Sequence, residues 1–236
     1  MAYIVDPAPN CGKYRTNGAF AAPTFVPRLI GDCLTAQSSI LGVVLAGGRS
    51  TRMGTEKALI EFGGKPLIAH AIARLSPQVD AVTINASGDP TRFASLGLSV
   101  IADAPAHRGF GPLAGIAASL AFGEAGSYLF VLTVPCDAPF APLDLASRLA
   151  AAAVMSQASV AVAEGPRGLE PLFTLWRSNL RARLERALES GERSPRDFLV
   201  ACNAIRISFA TPTGVNPFAN LNDRDELAAA RARLSS

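Results

Sequence analysis

The stretch "ILGVVLAGGRSTRMGTEK", residues 40–57, decides how this chain is interpreted. It begins with a short apolar run and leaves that run through two adjacent glycines, Gly47 and Gly48. Such a run is typical of a strand buried on both faces, as in a parallel sheet covered by helices. The glycines lead into a positively charged segment that contains Arg52 and Lys57. A surface turn with solvated charges is one interpretation of this segment. A backbone cradle for phosphate groups is the other.

The composition is that of an ordinary globular chain, and it limits the possible functions. The 236 residues suffice for one α/β domain, or at most two small ones, with 49% hydrophobic and 17% charged residues. The net charge is only +3, and no basic run carries interleaved aromatic residues, which argues against a nucleic-acid partner. No apolar run is long enough to span a membrane. We therefore expect a cytoplasmic protein without a membrane or nucleic-acid partner.

Cysteine and histidine usage argues against a zinc site. The four cysteines, Cys11, Cys33, Cys136 and Cys202, form no CxxC pair, and the chain has only two histidines. We interpret the cysteines as reduced thiols of a cytoplasmic protein. Pairing of Cys11 with Cys33 in an oxidising compartment is the alternative.

The chain divides into an arm and one domain. Residues 1–39 are rich in proline, glycine and asparagine without a sustained period, which predicts an irregular N-terminal arm. Residues 40–236 alternate strand-like and helix-like segments almost throughout, which predicts a mostly parallel sheet covered by helices. After the first strand, strands are predicted at 81–87, 98–103, 128–135, 159–165, 172–176 and 204–210. Helices are predicted at 66–75, 111–123, 143–155, 178–191 and 222–234, with another beginning at 194.

Capping and periodicity give further local expectations. In the helix at 178–191, Ser178 is predicted to cap the start and Gly191 to end it. Leucines 180, 184 and 188 form its buried face. "SPRD" at 194–197 is a capping-box variant with proline at the first helical position. His70 falls opposite the apolar face of its helix, so we expect a solvated surface residue without a chemical role.

Polar residues and glycines follow four successive strands. Gly47 and Gly48 follow the first strand, Asn85 the second, Asp103 the third and Asp137 the fourth. Each is also compatible with ordinary turn chemistry. However, ligands bind at the carboxyl ends of the strands in open parallel sheets, and four strands in succession favour a site there.

The chemistry of this edge favours a nucleoside triphosphate with magnesium. Asp137 lies in "PCDAP" without histidines nearby, and a lone carboxylate of this kind suits Mg²⁺. The glycine backbone can bind phosphate oxygens, and Arg52 and Lys57 can neutralise their charge. No Walker motif is present. "GFGPLAG", residues 109–115, imitates a dinucleotide fingerprint, but it begins several residues after its strand and contains Pro112, so we do not interpret it as one.

These motifs resemble those of the molybdenum cofactor guanylyltransferases. The resemblance begins with "LAGGRSTRMGTEKALIEFGGKPL", continues through "NAS", "VIAD", "GPLAG", "PCDAPF" and "FANLNDRDEL", and covers roughly residues 41–235. The second glycine and the pair Glu56 and Lys57 look like the guanylyl branch, since cytidylyl relatives usually show Ala-Ala-Gly and asparagine before the lysine. The resemblance implies a three-layer α/β/α, Rossmann-like nucleotidyltransferase domain of the nucleotide-diphospho-sugar transferase type.

The resemblance also implies an activity and a set of site residues. Members transfer GMP from Mg-GTP to the phosphate of molybdopterin carrying molybdenum and release pyrophosphate. The implied catalytic residues are Lys57, Arg52 and Asp137, with Asp137 also holding Mg²⁺. The implied GTP-binding residues are Leu45, Ala46, Gly47, Gly48, Lys57, Asn85, Asp103 and Asp137. Asn220 and Asn222 lie in the motif expected near the pterin. Molybdoenzymes or cofactor-delivery proteins are further partners that the resemblance allows. Where many relatives have histidine or glutamine, this chain has Glu170.

Two other functional classes remain open from the sequence. One is a cytidylyltransferase for molybdopterin or a related sugar-phosphate nucleotidyltransferase. The other is a non-catalytic nucleotide-binding homologue. The presence of both Lys57 and Asp137 argues against the second, because binding alone does not require the metal.

Overall fold

The computed structural model describes residues 39–47, 57–209 and 216–221. Several predictions lie outside these ranges: most of the N-terminal arm with Cys11 and Cys33, then Gly48, Arg52 and Glu56, and the helix expected from Asn222.

A seven-stranded sheet forms the centre of the domain. The strands of the described chain are β1 (Ile40–Leu45), β2 (Glu61–Phe62), β3 (Lys65–Pro66), β4 (Ala81–Asn85), β5 (Val100–Ile101), β6 (Phe130–Pro135), β7 (Val160–Gly165), β8 (Gly168–Arg177) and β9 (Ile205–Ser208). The order in the large sheet is β5-β4-β1-β6-β8-β7-β9, and β2 pairs only with β3. Within the large sheet, strand β8 runs antiparallel to β6 and β7, whereas the other pairs are parallel. The predicted mostly parallel sheet is confirmed.

Helices cover both faces of the sheet. They are α1 (Leu67–Leu75), α2 (Pro112–Ala125), α3 (Leu145–Met155), α4 (Arg181–Glu189) and α5 (Pro195–Ala201). Strand β1 explains the arrangement, because Ile40 and Val44 pack with α1 and α3 while Leu41 and Val43 pack with α2, α4 and α5. The predicted three-layer α/β/α architecture is confirmed. Within the described ranges, no helix is long and apolar enough to cross a membrane.

Glycine within β1 lets α1 pack closely on the sheet. A Cβ atom at Gly42 would lie 2.8 Å from Cδ2 of Leu75 and 2.9 Å from Cγ2 of Val79. Any larger residue would push the end of α1 away from the strand, because real Cβ atoms do not approach so closely. The close approach holds the helix against the strand that leads into the glycine-rich segment.

The start of α4 differs from the prediction for Ser178. Its side chain makes no capping hydrogen bond; a 3₁₀ turn covers Ser178–Leu180, and α4 begins at Arg181. The Ser178 hydroxyl is buried and has no hydrogen-bond partner in the described part of the chain. The predicted burial of leucines 180, 184 and 188 is confirmed. Gly191 ends the segment with a φ of 99°, and Ser194 caps α5 by accepting a hydrogen bond from the backbone N–H of Asp197, both as predicted.

His70 is a structural residue rather than a solvated one. It is half-buried, and its Nε2 lies 2.7 Å from the backbone oxygen of Phe62, to which it donates. The Phe62 ring contacts the imidazole edge-on at a centroid distance of 5.1 Å. The contact joins α1 to the β2–β3 hairpin. The prediction of a surface residue was wrong because helical periodicity does not show this hairpin folding over the polar side of α1.

Candidate functional site

A cleft of about 380 Å³ opens at the carboxyl ends of β1, β4 and β6. Its size lies within the range of roughly 300–1,000 Å³ that is usual for small-molecule sites. Every predicted nucleotide-site residue that the structure describes lines it, namely Leu45, Ala46, Gly47, Lys57, Asn85, Asp103 and Asp137. The strand-exit residues therefore lie together, as expected for the carboxyl edge of a parallel sheet.

Lys57 and Asp137 form an ion pair inside this cleft. The ammonium group of Lys57 donates a hydrogen bond to Oδ2 of Asp137, although the two residues are 80 positions apart. Their side chains are only 16% and 13% exposed, so bulk water screens the pair weakly. The other carboxylate oxygen, Oδ1, is buried and has no hydrogen-bond partner among the described residues. The cleft thus presents a cation and an oxygen ligand side by side.

The loop that carries Asp137 is held from both sides. The backbone N–H of Cys136 donates to the oxygen of Leu45 over 3.1 Å, which ties the loop to the end of β1. The N–H of Leu221 donates to the oxygen of Asp137 over 3.0 Å. The C-terminal motif around Leu221 is anchored in turn by Phe218, whose buried ring meets that of Phe173 edge-on. Asn220 lines the cleft as a result.

Asn85 and Asp103 form a second polar pair in the cleft. Asn85 is 2% exposed, and its Nδ2 donates to Oδ1 of Asp103 over 3.1 Å. Its backbone oxygen accepts a hydrogen bond from the N–H of Ala46 over 2.8 Å, which joins the ends of β4 and β1. A Cβ atom at Gly115 of α2 would lie 2.3 Å from Oδ1 of Asn85. The absence of a side chain at Gly115 therefore fixes where Asn85 can stand.

We expect Gly115→Ala to weaken binding of the nucleotide that the sequence predicts for this cleft by about tenfold or more. The added methyl group must displace Asn85, and the displacement breaks a buried polar contact that typically costs about 1–3 kcal/mol. Isothermal titration with GTP and Mg²⁺ measures the change. Gly123→Ala is a matched control, because its Cβ would crowd Val131 in the core at 2.5 Å, away from the cleft. Equal affinity in both variants would contradict the role of Gly115.

The glycine-rich loop before α2 also lines the cleft, although the sequence alone assigned it no binding role. Gly109 and Gly111 have φ angles of 82° and 75°, which favour glycine, and both face the cleft together with Pro112. "GFGPLAG" is not a dinucleotide fingerprint, but its glycines contribute to the site. Ser87, Cys136 and Leu172 are further lining residues that were missed. The quoted motifs "NAS" and "PCDAPF" contained the first two of them.

Glu170 lies beside the site rather than in it. It stands on β8, half-buried, and is absent from the lining of the cleft formed by the described residues. Its Oε1 lies 3.1 Å from the position that a Cβ of Gly165 would occupy, so the side chain crosses the β7–β8 hairpin. Burial raises the pKa of the Glu170 carboxyl, and the nearby charge of Arg167 opposes the rise. The departure from the family pattern therefore does not put a carboxylate on the wall of this cleft.

Comparison with known families gives a consistent match. The model of the MobA-like NTP transferase domain matches residues 42–205. The molybdenum cofactor guanylyltransferase of Mesorhizobium japonicum is 39% identical over 203 residues, which cover 84% of this chain and 97% of the relative. That of Rhodobacter capsulatus is 42% identical over 195 residues, covering 83% and 96%.

Solved structures support the same fold. Molybdopterin-guanine dinucleotide biosynthesis protein A from Archaeoglobus fulgidus superposes with a TM-score of 0.67 at 24% identity, covering 83% of this chain and 98% of the other. CMP:2-keto-3-deoxy-manno-octonic acid synthetase in complex with CTP gives a TM-score of 0.64 at 14% identity, covering 84% and 99%. At these identities the likeness concerns the fold alone.

Proposed function

Because the chain belongs to the family of molybdenum cofactor guanylyltransferases, we propose that it transfers GMP from GTP to the phosphate of molybdopterin and releases pyrophosphate. The chain is thus a nucleotidyltransferase of molybdenum cofactor biosynthesis. The observation that carries the proposal beyond family membership is the Lys57–Asp137 pair on the wall of the cleft. A cation and a carboxylate at this position supply the two kinds of group that a magnesium–triphosphate complex requires.

The nucleotide is held, in this proposal, by backbone and side-chain groups of three strand ends. Leu45, Ala46 and Gly47 offer their backbone at the end of β1, and Gly48 is the next nucleotide contact predicted from the sequence. Asn85 and Asp103 offer polar side chains whose mutual hydrogen bond fixes their orientation before the ligand arrives. Such preorganisation reduces the entropy that binding must overcome.

Asp137 is the proposed ligand of Mg²⁺. Its buried Oδ1 lacks a hydrogen-bond partner among the described residues, which fits an oxygen-seeking ion. Within the described ranges, no group of three or more His, Cys, Asp or Glu side chains is arranged so that it could hold a metal ion. Magnesium usually takes one or two carboxylates and completes its shell with phosphate oxygens and water, so this donor set suits it. When bound, the ion would neutralise charge on the phosphate oxygens and orient them.

The reaction balances as a simple displacement. An oxygen of the acceptor phosphate attacks the α-phosphorus of GTP and forms the new phosphorus–oxygen bond. The bond from the α-phosphorus to the bridging oxygen breaks, and pyrophosphate leaves with its electron pair. Lys57 and Arg52 stabilise the charge that develops on the leaving group, and the site fixes the in-line geometry. A general base is not needed, since the acceptor phosphate is already anionic.

GTP with Mg²⁺ is expected to raise the melting temperature more than CTP or ATP does. At about a hundred times the dissociation constant, a ligand adds roughly 2.7 kcal/mol, or roughly 5–10 °C for a domain of this size. Differential scanning fluorimetry with the three nucleotides measures the order. A larger shift with CTP would place the chain in the cytidylyl branch, and no shift with any of them would contradict nucleotide binding.

A transfer assay separates the enzyme from a non-catalytic homologue. Labelled GTP, Mg²⁺ and molybdopterin should yield the dinucleotide together with one pyrophosphate per GMP transferred. GTP binding without pyrophosphate release would indicate a non-catalytic protein. The cytoplasmic location and partnership with molybdoenzymes or cofactor-delivery proteins stay predictions.

A further inference from the structure

An arginine in the connection between α4 and α5, Arg193, stacks on the ring of Phe110 in the glycine-rich loop before α2. Arg193 lies between α4 and α5, and the carbon of its guanidinium group stands 3.5 Å from the centroid of the Phe110 ring. At this distance the cation lies directly on the ring face, where the aromatic quadrupole attracts it. Phe110 is only partly buried, and Arg193 itself is exposed.

The guanidinium group is held in place independently of the ring. Its Nη1 donates to the backbone oxygen of Leu188 over 2.7 Å and to that of Glu192 over 2.6 Å. Leu188 is fully buried on the face of α4 that packs against the sheet. Arg193 therefore connects Phe110 to the carboxyl end of α4.

Phe110 is also the anchor of the wall that it belongs to. It stands between Gly109 and Gly111, which line the cleft and have no side chains to hold them. The His107 ring packs near Phe110 with the centroids 6.0 Å apart, and the N–H of Phe110 donates to the oxygen of His107 over 3.1 Å. A displacement of this ring would move both glycines, since each is bonded directly to Phe110.

We infer that Arg193 is a positioning residue for the nucleotide, which acts through Phe110 to fix the Gly109–Gly111 wall of the cleft. The inference rests on the proposed function, since it concerns binding of the nucleotide. Arg193 is not among the described residues that line the cleft, so its effect must pass through the aromatic ring. Its loss should therefore weaken GTP binding and raise KM while kcat stays nearly unchanged, because the proposed catalytic residues Lys57 and Asp137 lie on other segments, in a 3₁₀ turn and after β6.

Arg193→Ala is expected to weaken GTP binding, measured by isothermal titration with Mg²⁺, by about two- to fivefold, the scale of a cation–π contact made by an exposed arginine. Arg193→Lys should lose less, because an ammonium group can still stand over the ring. Arg177→Ala is the matched control. Arg177 stands over Phe130 at 5.2 Å, at the amino end of β6 and thus the opposite edge of the sheet. This control should bind GTP like the wild type.

A double-mutant cycle tests whether Arg193 acts through the ring. Phe110→Leu should weaken binding about as much as Arg193→Ala, and the double variant should bind GTP as tightly as Phe110→Leu within the error of the titration. Additive losses, wild-type affinity in Arg193→Ala, or equal losses in Arg193→Lys and Arg193→Ala would overturn the inference. Failure of the wild type to bind GTP would instead defeat the proposed function. The two failures are therefore distinguishable in one set of titrations.

Discussion

Replacing Asp137 with asparagine is expected to reduce guanylyl transfer by on the order of 10³-fold, at least as much as the loss of one preorganised transition-state donor. The amide keeps the shape of the side chain but loses the charge that would hold Mg²⁺ against the triphosphate. It also offers a neutral group to Lys57, whose ammonium now donates to a carboxylate. Steady-state transfer assays over a range of Mg²⁺ concentrations measure the defect, which higher Mg²⁺ should reduce only in part, because mass action offsets the weaker metal binding but does not replace the lost charge.

Thermal melts run beside these assays separate chemistry from stability. The melting temperature of Asp137→Asn should change by only a few degrees, because the side chain faces a cleft rather than the core. Asp144→Asn makes the same chemical change at an exposed carboxylate that pairs with Arg148, and it should leave the transfer rate unaltered. If the Asp137→Asn defect appeared only near its melting temperature, Asp137 would merely brace its proline-flanked loop.

The strand exits were predictable because burial on both faces leaves a clear pattern. Strands β1 and β6 are continuous apolar runs, and the residue after each run must emerge at the same edge when the strands are parallel. This reasoning alone predicted that Gly47 and Asp137 lie near each other. Asn85, at the end of β4, follows by the same argument. The hydrophobic pattern of these strands and the residues that follow them therefore suffice to predict the fold and the main wall of the site.

Contacts between distant segments were not predictable in the same way. The hydrogen bond of His70 depends on a hairpin of two-residue strands, which is too short to show a period. Serine often caps helices, but Ser178 lies in a 3₁₀ turn that precedes α4, and its side chain makes no capping hydrogen bond. Arg193 stacks on Phe110 although the two residues are 83 positions apart in the sequence. Neither residue belongs to a motif that requires the other. Tertiary packing determines such contacts, so local sequence patterns do not predict them.

Lys57→Ala is expected to reduce guanylyl transfer by on the order of 10²–10³-fold, because the triphosphate and the departing pyrophosphate lose a fixed cation whose side chain is largely buried. Lys65→Ala removes the same kind of charge from an exposed position of the β2–β3 hairpin and should be silent. Replacing a lysine on a merely solvated turn would also leave the transfer rate unchanged. Full activity of Lys57→Ala would therefore contradict the catalytic role assigned to Lys57.

The ion pair adds a second readout that distinguishes Lys57 from Asp137. In the free protein Lys57 occupies Oδ2 of Asp137 and competes with a metal ion for the same carboxylate. Lys57→Ala removes the competitor, so Mn²⁺ alone, used as a paramagnetic substitute for Mg²⁺, should bind several times more tightly, since like charges repel at close range. Asp137→Asn should weaken Mn²⁺ binding and transfer together. Lys57→Ala should therefore bind Mn²⁺ more tightly but transfer GMP more slowly, whereas Asp137→Asn should lose both. This combination is expected only if the Asp137 carboxylate holds the metal and the Lys57 ammonium group binds the phosphates. Weaker Mn²⁺ binding in Lys57→Ala would show that the lysine instead holds Asp137 in position for the ion.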